Sequence, residues 1–221
     1  MMRHLSELLT DVGPVSDKTL TELKEIDVGY RFTVEDGITF PYRGKSLEIP
    51  TLQEAFEQLP EIPFNIDIKN PQHSAVKNLV EIIKKFHRKD IVLVGSFHNE
   101  QIRRFRTALP CVPTAAAPSE VRRFLYATAF HLTRLVRPKY TAFQVPLTIQ
   151  KGNDKSIDIV NDRFVCQAHN KGIAVMIWTI NDPITMRQLI QNGIDGIFTD
   201  APETLIGVLD EMQTAGEINS P

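Results

Sequence analysis

Short apolar runs alternate along the chain with longer segments whose apolar residues recur at helical spacing. Residues 64–69 (FNIDIK) alternate apolar and polar side chains, as a half-buried β-strand does. Residues 90–97 and 173–180 are almost entirely apolar, which is typical of strands buried on both faces of a parallel sheet. The same pattern predicts shorter strands near CVPTAA (residues 111–116), over residues 141–146 and in GIDGIFTD (residues 193–200).

A helix is predicted after each strand, with its start marked by capping residues. Thr51 and Glu54 have the spacing of a capping box, and Asp182 precedes a proline suited to a first helical turn. The predicted helices cover residues 51–59, 74–87, 99–109, 119–136, 157–170, 183–193 and 202–212. Within the first 50 residues the pattern predicts one helix, over 19–26, and no buried strand.

Six strands that are each followed by a helix predict an α/β protein with a parallel sheet. Two architectures fit this order, a doubly wound open sheet and a TIM barrel. The sequence has no GxGxxG or GxxxxGK[ST] motif, and this absence favours the barrel. A complete barrel has eight βα units over roughly 250 residues, so we expect an incomplete barrel with six of eight units.

Composition is that of an ordinary globular protein, and we expect a single domain over residues 1–221. The net charge of −2 gives no reason to expect a nucleic-acid partner. Cys111 and Cys166 form no CxxC pair and suggest a reducing compartment. The first residues lack the features of a signal peptide, and no apolar run is long enough for a membrane-spanning helix, so a cytoplasmic location is expected.

Three segments resemble the glycerophosphodiester phosphodiesterases. They are GPVSDKTLTELKEIDVGYRF, IPTLQEAFEQLPEIPFNIDIK and VMIWTINDPITMRQLIQNGIDGIFTDAPETL, in the order in which that family carries them. The resemblance implies a TIM barrel of the phosphodiesterase type. It also implies hydrolysis of phosphodiesters such as glycerophosphocholine, to glycerol 3-phosphate and an alcohol, with a divalent cation, Mg²⁺ or Ca²⁺, as cofactor.

The resemblance also implies motifs that would precede the GPVSD segment and are not found there. These are a His-Arg-Gly motif, a Glu-Asn-Thr segment, a Glu-x-Asp pair and a His-Asp motif, which in the family supply the acid–base histidines and most metal ligands. At the place of the His-Asp motif the chain has Met1 and Met2. We therefore expect an N-terminally truncated domain without its first two strands, and the catalytic residues stay unassigned.

Asp67, Lys69 and Trp178 are the candidate site residues. Asp67 and Lys69 lie two apart on a predicted strand, so their side chains should share one face. By themselves they are compatible with a solvated ion pair or with a metal-and-phosphate site. The resemblance places Asp67 at a metal-ligand position and Lys69 at the phosphate, with IDIK matching the branch that resembles lysophospholipase D enzymes. Trp178 ends a strand, where it could be a core residue or, as the resemblance favours, a wall of the substrate pocket.

The six histidines show no HxH, HExxH or HxD spacing. His98 follows a strand end and is the only one expected to face the pocket. Residues 121–140 combine aromatic residues with five Arg and Lys residues. This stretch predicts either peripheral membrane contact or an ordinary outer helix with a solvated basic edge.

Two functional hypotheses follow from the sequence. The first is a metal-dependent phosphodiesterase of lipid metabolism that acts on glycerophosphodiesters or lysophospholipids. The second is a catalytically inactive or truncated barrel that acts as a binding or assembly module. An incomplete barrel exposes two strand edges, so self-association is also expected.

Overall fold

The computed structural model describes residues 15–33, 37–150 and 156–218. The chain divides into two compact units, residues 1–61 and residues 62–221. In the described part of the chain, no helix combines the length and the apolar character needed to cross a bilayer.

The first unit contains two short helices, α1 (Leu20–Lys24) and α2 (Leu52–Gln58). Both begin with the predicted capping boxes, formed by Thr19 with Glu22 and by Thr51 with Glu54. Lys24 Nζ links the two helices, because it donates to Glu54 Oε2 at 2.7 Å. As predicted, the described part of this unit contains no strand.

The second unit alternates strands and helices. Its strands are β1 (Phe64–Asp67), β2 (Val92–Gly95), β3 (Ala142–Pro146), β4 (Thr148–Gln150), β5 (Ser156–Asp158), β6 (Ala174–Trp178) and β7 (Gly196–Ile197). Its helices are α3 (His73–Lys85), α4 (Asn99–Ala108), α5 (Pro118–Ala129), α6 (Asp162–His169), α7 (Pro183–Gln191) and α8 (Pro202–Thr214).

Parallel pairing joins the main strands in the order in which the chain makes them. β1 pairs with β2, and β3 with β6, which in turn pairs with β7. The short segment at Thr114 and Ala115 joins these two groups, because it bridges in parallel to Val94 of β2 and to Ala142 of β3. A doubly wound sheet reverses its strand order at a switch point. The described strands show no reversal, so the architecture is that of a singly wound, barrel-like α/β fold.

The hydrophobic core lies between one face of this sheet and the helices. Phe143 and Val145 of β3 and Val175 and Ile177 of β6 are each at most 2% exposed. They pack with helix residues that include Phe124, Phe164, Met186, Val208 and Met212. Because neighbouring residues of a strand point to opposite faces, the residues between these core positions face away from the helices.

The prediction of one helix over residues 157–170 is wrong at its start. Residues 156–158 instead form β5, which pairs antiparallel with β4. The helix begins only after Asn161, whose side-chain oxygen accepts a hydrogen bond from Phe164 N at 3.0 Å. This cap satisfies a backbone donor that a longer helix would have to bond internally.

The predicted helix over residues 119–136 is too long at its end. α5 stops at Ala129, and a separate 3₁₀ turn follows at Thr133–Leu135. His131 has a φ of +60°, a left-handed conformation that ends the helix. Asn99 is the first residue of α4, as predicted, and its side chain accepts from Ser119 N at 2.9 Å.

Replacing Phe143 by Ala should lower the free energy of unfolding by about 3 to 5 kcal/mol, because the change leaves a cavity among packed aromatic rings. The Phe143 ring lies 4.8 Å from that of Phe124 and 5.0 Å from that of Phe164. Urea unfolding followed by the fluorescence of the single tryptophan measures the change. Ile184→Ala is the matched control, because Ile184 is 68% exposed, and equal losses in the two variants would contradict the packing argument.

A pH-dependent contribution to stability is expected from Glu54. Hydrogen bonds, first from Lys24 and then from the Thr51 backbone and hydroxyl, lower the pKa of the Glu54 carboxyl from 4.5 to about 2. Its contribution is therefore complete above the ordinary pKa of 4.5 and is lost as the pH falls toward 2. Glu54→Gln should lower the melting temperature at neutral pH, and the difference from the native chain should shrink below about pH 4. Thermal melts by circular dichroism test this, with Glu57→Gln on the same helix as control; a difference independent of pH would contradict it.

Candidate functional site

Asp67 and Lys69 lie together at the carboxyl end of β1. Lys69 Nζ donates to Asp67 Oδ2, which confirms that the two side chains share one side of the strand. The other oxygen, Asp67 Oδ1, is buried and has no hydrogen-bond partner in the described structure. Lys69 is 44% exposed, so its ammonium group is open to a ligand from solvent.

Two aromatic rings extend the site from Lys69 to Trp178. The ammonium of Lys69 lies 4.5 Å from the centroid of the Phe97 ring. That ring meets Trp178 edge to face, with centroids 5.8 Å apart. β2 and β6 end just before Phe97 and at Trp178, so both rings stand on the carboxyl edge of the sheet beside Lys69. The structure therefore brings all three predicted site residues together.

Phe97 is the member of this group that the sequence analysis did not identify. It follows β2 by two residues, at the same distance from its strand end as Lys69 from β1. This shared offset could have predicted from the sequence that Phe97 lies near Lys69, since parallel strands align their carboxyl ends. Phe97 is 55% exposed and presents part of its ring to solvent.

The sheet face below the site carries an amide pair and a glycine. Gln144 Nε2 donates to Asn65 Oδ1 at 2.7 Å. The amide pair therefore spans β2 and the Thr114–Ala115 segment, which lie between β1 and β3. Gly95 makes this possible, because a Cβ atom there would lie 2.9 Å from Gln144 Oε1. Asn65 precedes Asp67 by two residues and shares its face. The amide pair therefore holds the strand that carries Asp67, and neither amide was identified from the sequence.

Loop residues after β1 and β2 fix the backbone that carries Lys69. Ser96 Oγ donates to Ile68 O at 2.6 Å. His98 Nε2 lies 3.2 Å from Lys69 O, so the imidazole contacts the backbone of Lys69. The side chain of His98 thus helps to position the Lys69 loop, and its place facing the pocket stays a prediction.

The loops after β6 and β7 are joined in a similar way. Asn181 Oδ1 accepts from Asp200 N at 2.8 Å and from Thr199 Oγ1 at 3.0 Å. Asn181 Nδ2 donates in turn to Asp200 Oδ2 at 3.2 Å. The segment after Trp178 is thus held to the segment after β7, at the same edge as the site.

The described residues do not fit a divalent cation by themselves. Ca²⁺ takes about six to eight oxygen ligands, and Mg²⁺ takes about six, of which one or two are carboxylates and others are waters or substrate phosphates. Asp67 supplies one free buried oxygen, and Lys69 already neutralises its charge. Within residues 15–33, 37–150 and 156–218, no cluster of three or more His, Cys, Asp or Glu side chains could hold a metal ion. We therefore derive no catalytic step through a metal.

This arrangement defines a class of protein: a barrel-like α/β fold whose site joins an ion pair and aromatic rings at the carboxyl edge of its strands. The profile of the glycerophosphoryl diester phosphodiesterase family matches residues 3–204 of the chain. The chain belongs to that family, and relatives of the chain are named as phosphodiesterases. The assignment to the family from the three sequence segments is therefore confirmed.

Relatives of known sequence support this placement. The chain is 26% identical to a glycerophosphodiester phosphodiesterase of Bacillus altitudinis over 205 residues, which cover 91% of this chain and 76% of that protein. It is also 26% identical to lysophospholipase D GDPD1 of Mus musculus, over 73% of this chain and 57% of that protein. The chain thus spans between about half and three quarters of the length of these relatives.

Solved structures share the fold. The glycerophosphoryl diester phosphodiesterase domain of an uncharacterized Mycobacterium tuberculosis protein superposes with a TM-score of 0.73 at 18% identity, covering 94% of this chain and 80% of that one. An Oleispira antarctica phosphodiesterase, in complex with the product sn-glycerol-3-phosphate, gives a TM-score of 0.68 at 21% identity and covers 93% and 76%. These neighbours identify the fold as TIM-barrel-like.

Proposed function

We propose that this chain hydrolyses glycerophosphodiesters and that the Lys69 ammonium binds the phosphate of the substrate. The main support for the proposal is a chain of contacts at the carboxyl edge of the sheet. It runs from Asp67 through Lys69 and Phe97 to Trp178. Active sites of TIM barrels are built at this edge. The Oleispira antarctica enzyme holds sn-glycerol-3-phosphate, so we take glycerol 3-phosphate as the product here as well.

Each site residue would contribute a distinct interaction. Lys69 would offset charge on the non-bridging phosphoryl oxygens as a point charge. Phe97 and Trp178 would flank the glycerol or alcohol group with their apolar edges and faces. Water would attack phosphorus while the bond to the leaving alkoxide breaks and the alkoxide takes up a proton. We assign the acid and base for this proton transfer to none of the described residues.

We further propose that six parallel segments correspond to the last six of the eight strands in the family's barrel. They are β1, β2, the Thr114–Ala115 segment, β3, β6 and β7. The β1 and β7 edges support this, since no described strand pairs with the outer side of either. Asp67, through its free oxygen, would supply one ligand of a cation site.

The proposal covers glycerophosphodiesters with any alcohol group, and lysophospholipids are the second substrate class. The relative named lysophospholipase D supports that class. A role in lipid metabolism would follow from either substrate. A cytoplasmic location remains part of the proposal, on the evidence of the sequence alone.

Binding of glycerol 3-phosphate tests the role of Lys69 separately from catalysis. Lys69→Met should weaken binding about tenfold to a hundredfold, because a charge-assisted hydrogen bond to phosphate is lost. Asp67→Asn should preserve or tighten binding without metal, because it frees the Lys69 ammonium and removes a negative charge. Isothermal titration measures both, with Lys84→Met on α3 as the charge control. Unchanged affinity in the Lys69 variant would remove Lys69 from the phosphate site.

Turnover of glycerophosphocholine tests the hydrolase itself. We expect release of choline that depends on Mg²⁺ or Ca²⁺ and falls at least about a hundredfold in Asp67→Ala, since the cation would lose a ligand. A coupled choline assay at graded metal concentrations measures the rate. Metal-independent turnover that survives the substitution would contradict the role of Asp67. Failure of the native chain to release choline would overturn the hydrolase proposal, whatever its affinity for glycerol 3-phosphate.

A further inference from the structure

We propose that the end of α5 and the segment after it form a surface that binds anionic lipid bilayers. This α5 surface comprises exposed apolar residues surrounded by cationic ones. The apolar residues are Tyr126, Phe130, Leu132 and Leu135, and the cationic residues are Arg122, Arg123, Arg134, Arg137 and Lys139. The inference does not rest on the proposed hydrolase activity.

The four apolar side chains of the α5 surface are largely exposed to solvent. Tyr126, Phe130, Leu132 and Leu135 are 67%, 69%, 48% and 68% exposed. Single exposed apolar residues are ordinary, but a group of four within ten residues marks an interaction surface. The stretch faces solvent because α5 turns its other side, with Phe124, Ala127 and Thr128, into the protein.

Every Arg, Lys, Asp or Glu side chain contributed by residues 121–140 is positive. The chain as a whole carries a net charge of −2, yet residues 121–140 contain five Arg and Lys residues and no Asp or Glu. None of the five forms an ion pair with another residue that the structure describes. Glu120, the nearest carboxylate in sequence, is bound by Arg106 at 2.7 Å. The five cations are therefore free to meet an anionic partner.

The combination of side chains favours a bilayer over other anionic partners. Four of the five cations are arginines. The guanidinium group of arginine forms bidentate hydrogen bonds with phosphate oxygens such as those of lipid head groups. Aromatic and leucine side chains can enter the boundary between head groups and acyl chains. Each cation near an anionic leaflet adds attraction that salt screens.

The position of the α5 surface sets the orientation of the bound protein. The segment 130–139 leads into the amino end of β3, whereas Lys69, Phe97 and Trp178 stand at the carboxyl edge of the sheet. Because the paired strands are parallel, these are opposite edges. A chain held through the α5 surface therefore keeps the candidate site away from the bilayer and accessible to soluble ligands.

Vesicle sedimentation tests the surface directly. The native chain should bind vesicles of equal parts phosphatidylcholine and phosphatidylglycerol, bind pure phosphatidylcholine weakly, and dissociate as salt is raised. Arg134→Gln/Arg137→Gln should lower the partition coefficient about thirtyfold, from loss of two cations at the leaflet. Phe130→Ser/Leu135→Ser should lower it about tenfold, through loss of inserted apolar area.

Matched variants elsewhere on the protein separate this surface from general effects. Lys84→Gln/Lys89→Gln removes two exposed charges, and Ile184→Ser/Ile206→Ser removes two exposed apolar side chains. Both should leave the partition coefficient within about twofold of the native value. Saturating glycerol 3-phosphate should not release the protein, because the candidate site lies at the other edge.

Four results would overturn the proposal. The first is failure of the native chain to bind anionic vesicles. The second is an equal loss in the control variants, and the third is release by glycerol 3-phosphate. The fourth is a concentration-dependent oligomer, seen by light scattering without lipid, that the Phe130→Ser/Leu135→Ser variant abolishes, because the occupant of the surface would then be a second copy of the chain.

Discussion

The helices that build the core pack against one face of the parallel sheet, and this constraint fixes the direction of the strand residues in the site. Phe143 and Val145 must point into the helical layer, so Gln144 between them points to the other face. By the same alternation, Ile177 of β6 points into the core and Trp178 points to the other face of the sheet. Shifting a strand by one residue would bury its polar set and expose its core residues, so the register and the site are specified together.

The accessibility of the Asp67 and Lys69 charges to ligands depends on that geometry. On an open surface such a pair contributes little to stability and attracts no ligand. Here one carboxylate oxygen is buried without a partner, while the ammonium stays accessible over an aromatic ring. A phosphate would compete with the carboxylate for Lys69, and a cation would compete with Lys69 for the carboxylate.

Sequence reasoning succeeded where a period-two pattern was combined with a strand end. It placed Asp67 and Lys69 on one side of β1, and put Trp178 at the end of β6, because alternation and parallel pairing determine both. It missed Phe97 because the conformation of the loop after β2 follows from contacts such as Ser96 with Ile68 O, between residues distant in sequence. It also missed the hairpin of β4 and β5, because apolar spacing in residues 157–170 satisfies a helical pattern before the Asn161 cap is considered.

The α5 region shows why an apolar pattern alone could not decide between a buried helix and a surface that binds a partner. The predicted helix over residues 119–136 includes Leu132 and Leu135, and the helix instead ends at Ala129. The left-handed turn at His131 redirects the chain, and both leucines then face solvent. Amphipathic helices of membrane surfaces and of protein exteriors share the same period. What separates them is the charge around the apolar residues: a carboxylate-free basic rim adds attraction to an anionic bilayer, whereas mixed charges would serve only to keep the surface solvated.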